Sequence, residues 1–328
     1  MFNNKTILVT GGTGSWGYEL VRQLLGFNPK EIRIFSRNES NQFTMKQEFD
    51  NDPRLKFLIG DIKEREELTE ACKGTEYVFH LAALKHVPVC EDQPLEALKT
   101  NVNGTQNVID AAIACNVDRV VYISTDKASN PSNFYGLSKA MGERLIIHAN
   151  TLNAKTRFVC IRGGNVLGTN GSVIHVFKKH IQEKGKIGIT DVNMTRFFLT
   201  LEQAIRLVFK ATRESIGGEI FVMKMPACKI IDLAHVLIED SGKENVDIEI
   251  LGIRPGEKIH ELLLSEYESK TTILYDAEYY VILPPIFIEG LKEGYAGYKP
   301  ANLKNYNSSK ELMGKDEIRE MLKKGRFI

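Results

Sequence analysis

At 328 residues the chain can form one large domain or two joined ones. It is long enough to bury roughly three quarters of the surface its unfolded form exposes, so it needs no cross-links. Lys plus Arg number 43 against 42 Asp plus Glu, a net charge of +1, which excludes a broad electrostatic field for nucleic acid or anionic membrane. The five cysteines (Cys72, Cys90, Cys115, Cys160 and Cys228) are scattered and never spaced as CxxC. That pattern opposes a disulfide framework or structural zinc and is expected of a protein kept in a reducing cytoplasm.

Residues Met1 to Lys5 run directly into a strand-like stretch, so no cleavable signal is expected. The first half then alternates short β-branched runs with amphipathic stretches. Strands are predicted at Thr6–Thr10, Glu31–Phe35, Leu55–Ile59, Tyr77–His80, Arg119–Ser124 and Arg157–Ile161. Helices are predicted between them at Tyr18–Phe27, Glu64–Cys72, Glu96–Cys115 and Tyr135–Ala149. This is the tempo of an α/β fold, a Rossmann-like doubly wound parallel sheet with ligands at the C-terminal strand ends. Beyond Gly163 the rhythm weakens: Lys184–Gly188 reads as loop, Ser172–Lys184 and Thr200–Glu214 as helices, and Lys258–Leu264 as a further helix. The expected organisation is a nucleotide-binding domain over 1–165 and a smaller substrate-binding region over 166–328 that returns strands to the main sheet. The most apolar run, Tyr279 to Ile288, is too short to span a bilayer and holds two prolines, so no membrane partner is expected.

Between the first strand and the first helix stands Thr10-Gly11-Gly12-Thr13-Gly14-Ser15-Trp16-Gly17. Glycines 11, 14 and 17 suit a dinucleotide loop: one for the tight turn, one for close approach to a pyrophosphate, one for helix–strand packing. At the end of the second strand, Ser36 and Arg37 offer donors and a positive charge where an NAD site usually places a carboxylate. The expected cofactor is therefore NADP. Asp61 either contacts adenine or caps the following helix. The remaining cofactor contacts are expected from Ile62, Leu81, Ala82, Ala83 and Lys85.

Tyr135 and Lys139 lie four apart at the start of a predicted helix and so share a face. An ammonium there is expected to lower the phenol pKa, making Tyr135 a base toward a sugar hydroxyl while hydride leaves the same carbon. Ser124 and Thr125, at the end of the fifth strand, bring hydroxyls that can position substrate.

TGGTGxxG at 10–17, Ser124-Thr125 and Tyr135-x-x-x-Lys139 resemble the extended short-chain dehydrogenases/reductases over essentially the whole chain. Five blocks in order narrow the likeness: His80–Pro88, Ser124–Ala128, Asn130-Pro131 followed by Tyr135, Met194–Phe197 and Arg254–Lys258. Together they resemble the UDP-N-acetylglucosamine 4,6-dehydratases, in particular the inverting type of pseudaminic acid synthesis. The resemblance implies that Asp126 is the acid at C6 and that Lys127 serves at C5. It implies that Arg196 and Arg254 hold the diphosphate of a UDP-N-acetylglucosamine substrate, beside Thr195. By the same likeness Glu257 accepts from uridine or ribose hydroxyls, Asn165 meets the sugar or β-phosphate, and Lys85 approaches the sugar. A homo-oligomer, dimer to hexamer, is the implied assembly. Retaining dehydratase, UDP-sugar 4-epimerase and a non-catalytic NADP-binding regulator stand as alternatives. His86, His175, His180 and His260 show no ligand spacing, so no metal is expected.

Overall fold

The computed structural model describes residues 1–152, 155–169 and 171–328. Six parallel strands form its frame: β1 (Thr6–Thr10), β2 (Glu31–Ser36), β3 (Leu55–Ile59), β4 (Tyr77–His80), β5 (Arg119–Thr125) and β6 (Arg157–Gly163). Their order, β3-β2-β1-β4-β5-β6, reverses direction between β1 and β4, the switch point at which such sheets open a crevice. All five residues of β1 are buried, as a strand covered by helices on both faces requires.

The later chain extends this sheet. Ile220–Met223 adds a seventh parallel strand beside β6, followed outward by antiparallel Tyr279–Ile282, Thr272–Leu274 and Lys299–Pro300. The main core lines both faces of that sheet. A second cluster, including Ile174, Phe177, Leu233, Leu237, Ile318 and Leu322, gathers the helices Val173–Lys184, Ile230–Ser241 and Lys315–Lys324.

Three sequence expectations are corrected. Lys258–Leu264 is not a helix: residues 251–261 are irregular and Leu262–Leu264 is a strand paired with Tyr306–Asn307. Pro255 and Gly256, the latter at φ +79°, force a turn immediately before the apolar run and prevent a helical start. Lys184–Gly188 is not all loop, because Lys186–Ile189 pairs in parallel with Asp247–Ile250. The single helix expected over Glu96–Cys115 is divided into Pro94–Ala97, a π-helical segment Leu98–Asn103, and Gly104–Ala114. The wide turns point Asn101 inward, where it binds both backbone groups of Leu84 and the Ser138 hydroxyl. Such π segments often mark functional sites.

Candidate active site

The C-terminal ends of β1, β2, β4, β5 and β6 open into one cleft of about 500 Å³. Gly11, Thr13, Gly14, Ser15, Trp16, Gly17, Ser36, Arg37, Asp61, Ile62, Leu81, Ala82, Ala83, Lys85, Tyr135 and Lys139 all line it, together with Ser124 and Thr125. The sixteen positions expected to hold the cofactor thus share one wall system.

The glycine loop shows which glycines the protein itself needs. A Cβ on Gly17 would lie 2.1 Å from the Gly12 carbonyl oxygen, and one on Gly11 (φ +68°) 2.8 Å from the Ala82 backbone. On Gly14 it would meet nothing nearer than the Gly11 oxygen at 3.5 Å. No side chain caps the helix Ser15–Leu25, which begins there. An open cradle before an uncapped helix start fits a dinucleotide pyrophosphate. At the far end, Gln42 donates to the Ser36 hydroxyl oxygen, and the half-exposed Arg37 guanidinium stands 3.7 Å from the Asp61 carboxylate, a weak pairing in solvent. Asp61 also accepts from the Lys63 amide at 3.0 Å, within the turn that precedes the helix Arg65–Cys72. Glu64 is the N-cap of that helix and no side chain caps it, so Asp61 lines the cleft and does not cap the helix.

β5 ends in a 3-10 turn, Asp126–Ala128, and the helix Phe134–Ala149 begins against it. Asn133 caps that helix by accepting from the Gly136 amide at 2.8 Å. Gly136 has to be glycine, since a Cβ would stand 2.3 Å from the Lys127 carbonyl oxygen. This close approach brings Tyr135 beside Lys127. Burial pushes the Tyr135 phenol up to about 12; the Lys127 charge and a Thr125 hydrogen bond pull the other way. The expected lowering by Lys139 is therefore corrected. Burial lowers Lys139 itself to about 7, with Glu143 opposing, and its Nζ sits 3.9 Å from the centroid of the Tyr122 ring. Burial also lowers Lys85.

Asp126 is fully buried, and its Oδ1 accepts from Lys127 Nζ at 3.1 Å and from the Thr125 hydroxyl at 2.9 Å. Its Oδ2 is buried without a hydrogen-bond partner. Lys127 Nζ also lies 3.3 Å from Oε1 of Glu261, whose Oε1 is in turn 3.6 Å from Arg196 Nε. Burial opposes the Lys127 ammonium, but the Asp126 and Glu261 carboxylates outweigh it and hold the pKa well above the usual lysine range.

Arg196 thus joins the site through a residue that motif spacing did not single out. Of the substrate-side candidates Lys85 lines the cleft, whereas Arg196, Thr195, Asn165, Arg254 and Glu257 do not. Asp126 and Lys127 lie just beyond its Thr125 wall. The Thr195 hydroxyl is committed to His260 Nδ1 at 2.8 Å and the Ser308 hydroxyl at 2.7 Å, deep in the protein. Asn165 sits in a two-residue strand paired with Phe198 and Leu199. Arg254 is exposed and shares a turn with Glu257. That turn docks on the loop between Ala128 and the helix Phe134–Ala149: the Gly256 carbonyl accepts from Ser132 and Asn133, and Lys258 Nζ donates to the Ser129 and Asn130 carbonyls.

Behind β5 and β6 lies a second network that sequence spacing missed. Arg162, fully buried, forks onto Glu143 (2.6 and 3.0 Å) and Glu268 (2.9 and 3.1 Å). Glu143 accepts from the Ser124 hydroxyl at 2.6 Å, so the network ends on a residue of the cleft wall. Among the described residues no cluster of His, Cys, Asp and Glu could hold a metal ion. No described helix is long and apolar enough to cross a membrane.

A doubly wound sheet with a glycine cradle at its switch point, and a Tyr and Lys on one helix beside it, defines a nicotinamide-nucleotide enzyme of the short-chain dehydrogenase/reductase class. The family model described as polysaccharide biosynthesis protein matches residues 7–283, and the chain belongs to that family. It is 44% identical over 290 residues to a Campylobacter jejuni protein named UDP-N-acetylglucosamine 4,6-dehydratase (inverting), covering 87% of this chain and 85% of that one. A Rickettsia felis protein named UDP-glucose 4-epimerase is 40% identical, with 98% and 96% covered. The solved structure of Pen from Bacillus thuringiensis superposes with a TM-score of 0.92 at 40% identity, over 98% of this chain and 99% of that one.

Proposed function

We propose that the protein is an inverting UDP-N-acetylglucosamine 4,6-dehydratase that uses NADP, works in the cytoplasm and assembles from identical chains. The observation that carries this reading is the buried Asp126–Lys127 pair beside the Tyr135 helix. An epimerase acting at C4 alone has no use for a second acid–base pair, whereas elimination across C5 and C6 needs both an acid and a base. The relative named as an inverting dehydratase supports the same choice.

The glycine cradle would hold the pyrophosphate, and Ser36 with Arg37 the 2′-phosphate of NADP. A bound nicotinamide would supply what side chains lack, taking hydride from C4 and giving it back at C6, so that the net reaction is loss of water. Tyr135, held by Thr125, would accept the C4 hydroxyl proton. Lys127 would remove the C5 proton, made acidic by the neighbouring ketone, and Asp126 would protonate the departing C6 hydroxyl. Arg196 and Arg254 would meet the diphosphate, with Lys85, Asn165 and Glu257 completing the sugar-nucleotide contacts. Leu95, Leu137 and Met141, all exposed, support a self-associating surface.

Incubation with UDP-N-acetylglucosamine in D2O, followed by NMR, tests the reading. The expected product is a 4-keto-6-deoxy sugar carrying deuterium at C5 with inverted configuration. Retained configuration at C5 would transfer the protein to the retaining dehydratases, a C4 epimer to the epimerases, and unchanged sugar would sink the proposal.

A further inference from the structure

Lys127 is held by two carboxylates, only one of which is its sequence neighbour. Glu261 reaches it from the far side of the chain, 3% exposed at its side chain, with Oε1 3.3 Å from Nζ. Its position is fixed from both backbone sides: its amide donates to the Ser308 hydroxyl at 2.9 Å, and its carbonyl accepts from the Ser308 amide at 2.9 Å. Both carboxylates that grip Lys127 keep one buried oxygen without a partner, Asp126 Oδ2 and Glu261 Oε2. A buried acceptor left unmade is costly, and two on either side of one ammonium mark a site arranged for something other than stability. Arg196, 3.6 Å from Glu261, balances the second negative charge.

We infer that Glu261 is a positioning residue for Lys127: it fixes where the ammonium stands and how firmly it keeps its proton. The inference rests on Lys127 acting at C5, as proposed above. The pair works with one proton between its members, because Lys127 must be free of its own to take the C5 proton while Asp126 must carry one to give at C6. Loss of that shared proton to solvent ends turnover. The groups facing Lys127 are Asp126, Tyr135, Glu261, Arg196 and Lys258, and of these only Asp126 and Glu261 hold its proton in place. An opposite charge this close is typically worth about one to three pH units.

The test is the pH dependence of kcat and KM with UDP-N-acetylglucosamine for the wild type, Glu261→Gln and Glu261→Asp. Glu261→Gln keeps the shape and removes the charge. Its alkaline loss of kcat is expected about one to three pH units below that of the wild type, with KM within about twofold. Glu261→Asp, which moves the charge away without removing it, is expected to shift in the same direction by less. A purely structural role would lower kcat or stability and leave the profile in place, so profiles that superimpose overturn the inference. If Glu261→Gln does not fold, the Glu261→Asp profile decides alone by the same criterion. A wild type with no dehydratase activity at any pH would instead overturn the functional proposal.

Discussion

Lys139 Nζ lies over the Tyr122 ring, 3.9 Å from its centroid, in an enclosure tight enough to bring its pKa down to about 7. Its unfolded value is near 10.5, so between these two values the unfolded chain binds more protons than the folded one. Stability therefore rises with pH from about 7 toward 10.5, and the full penalty of burying the ammonium is felt below 7. Lys139→Met should remove that penalty. Urea unfolding near neutral pH should show the variant more stable by a few kcal/mol, the gap closing as pH rises. Activity should fall at least about 100-fold, since the cleft loses the amine that shares the Tyr135 helix face. A stability gap that does not change with pH would refute the account.

The glycine loop separates fold from function. Gly17→Ala places a Cβ 2.1 Å from the Gly12 oxygen and should cost enough to prevent folding or lower Tm sharply. Gly14→Ala adds a methyl group where the protein leaves 3.5 Å, at φ −82° and ψ 168°, which alanine accepts. Its Tm should match the wild type within a few degrees, while dinucleotide affinity falls about tenfold or more, read by calorimetric titration. Equal affinity in the two proteins would mean that the pyrophosphate does not pass over Gly14.

The parts of the site that were legible are those whose partners are close in sequence. Gly11, Gly14 and Gly17 sit in one loop, and Asp126, Lys127 and Tyr135 span one turn and a helix start, so local spacing already carries their geometry. Glu261 was hidden because it arrives from a distant irregular stretch, just before the strand Leu262–Leu264, and because the apolar spacing of Lys258–Leu264 mimics a helix that only the Pro255-Gly256 turn prevents. Asn101 was hidden for another reason. A π segment leaves the apolar periodicity of Glu96–Cys115 almost unchanged while rotating one side chain toward Leu84 and Ser138. The Tyr135–Lys139 spacing placed both residues correctly at the cleft and gave the wrong electrostatics. Burial, which spacing does not report, dominates both groups.

The proposed preference for NADP rests on Arg37. Its guanidinium is half exposed and only loosely held by Asp61 at 3.7 Å, so its removal should cost the fold little. Arg37→Ala should raise the Kd for NADP about tenfold or more and leave that for NAD within about twofold. A parallel loss for both cofactors would show that Arg37 does not read the 2′-phosphate.

Asp126 and Tyr135 should fail at different stages, and that difference can be seen in the nicotinamide absorbance. In the proposed mechanism Tyr135 takes the C4 hydroxyl proton in the first step, so Tyr135→Phe with UDP-N-acetylglucosamine should show no reduced nicotinamide and no product. Asp126→Asn retains the size of the side chain and its contact with Lys127, but the amide has no acidic proton for the C6 oxygen. Oxidation at C4 does not call on Asp126, so reduced nicotinamide should build up in Asp126→Asn while dehydration slows by about 100-fold or more. The C5 hydrogen offers a second view of the same block. Lys127 remains in place, so C5 should still exchange with D2O in the stalled complex, whereas Lys127→Ala should stall with C5 protonated by its original hydrogen. Asp126→Asn with normal dehydration would move the acid elsewhere. Exchange lost equally in both variants would mean that Asp126 and Lys127 do not divide the two proton transfers between them.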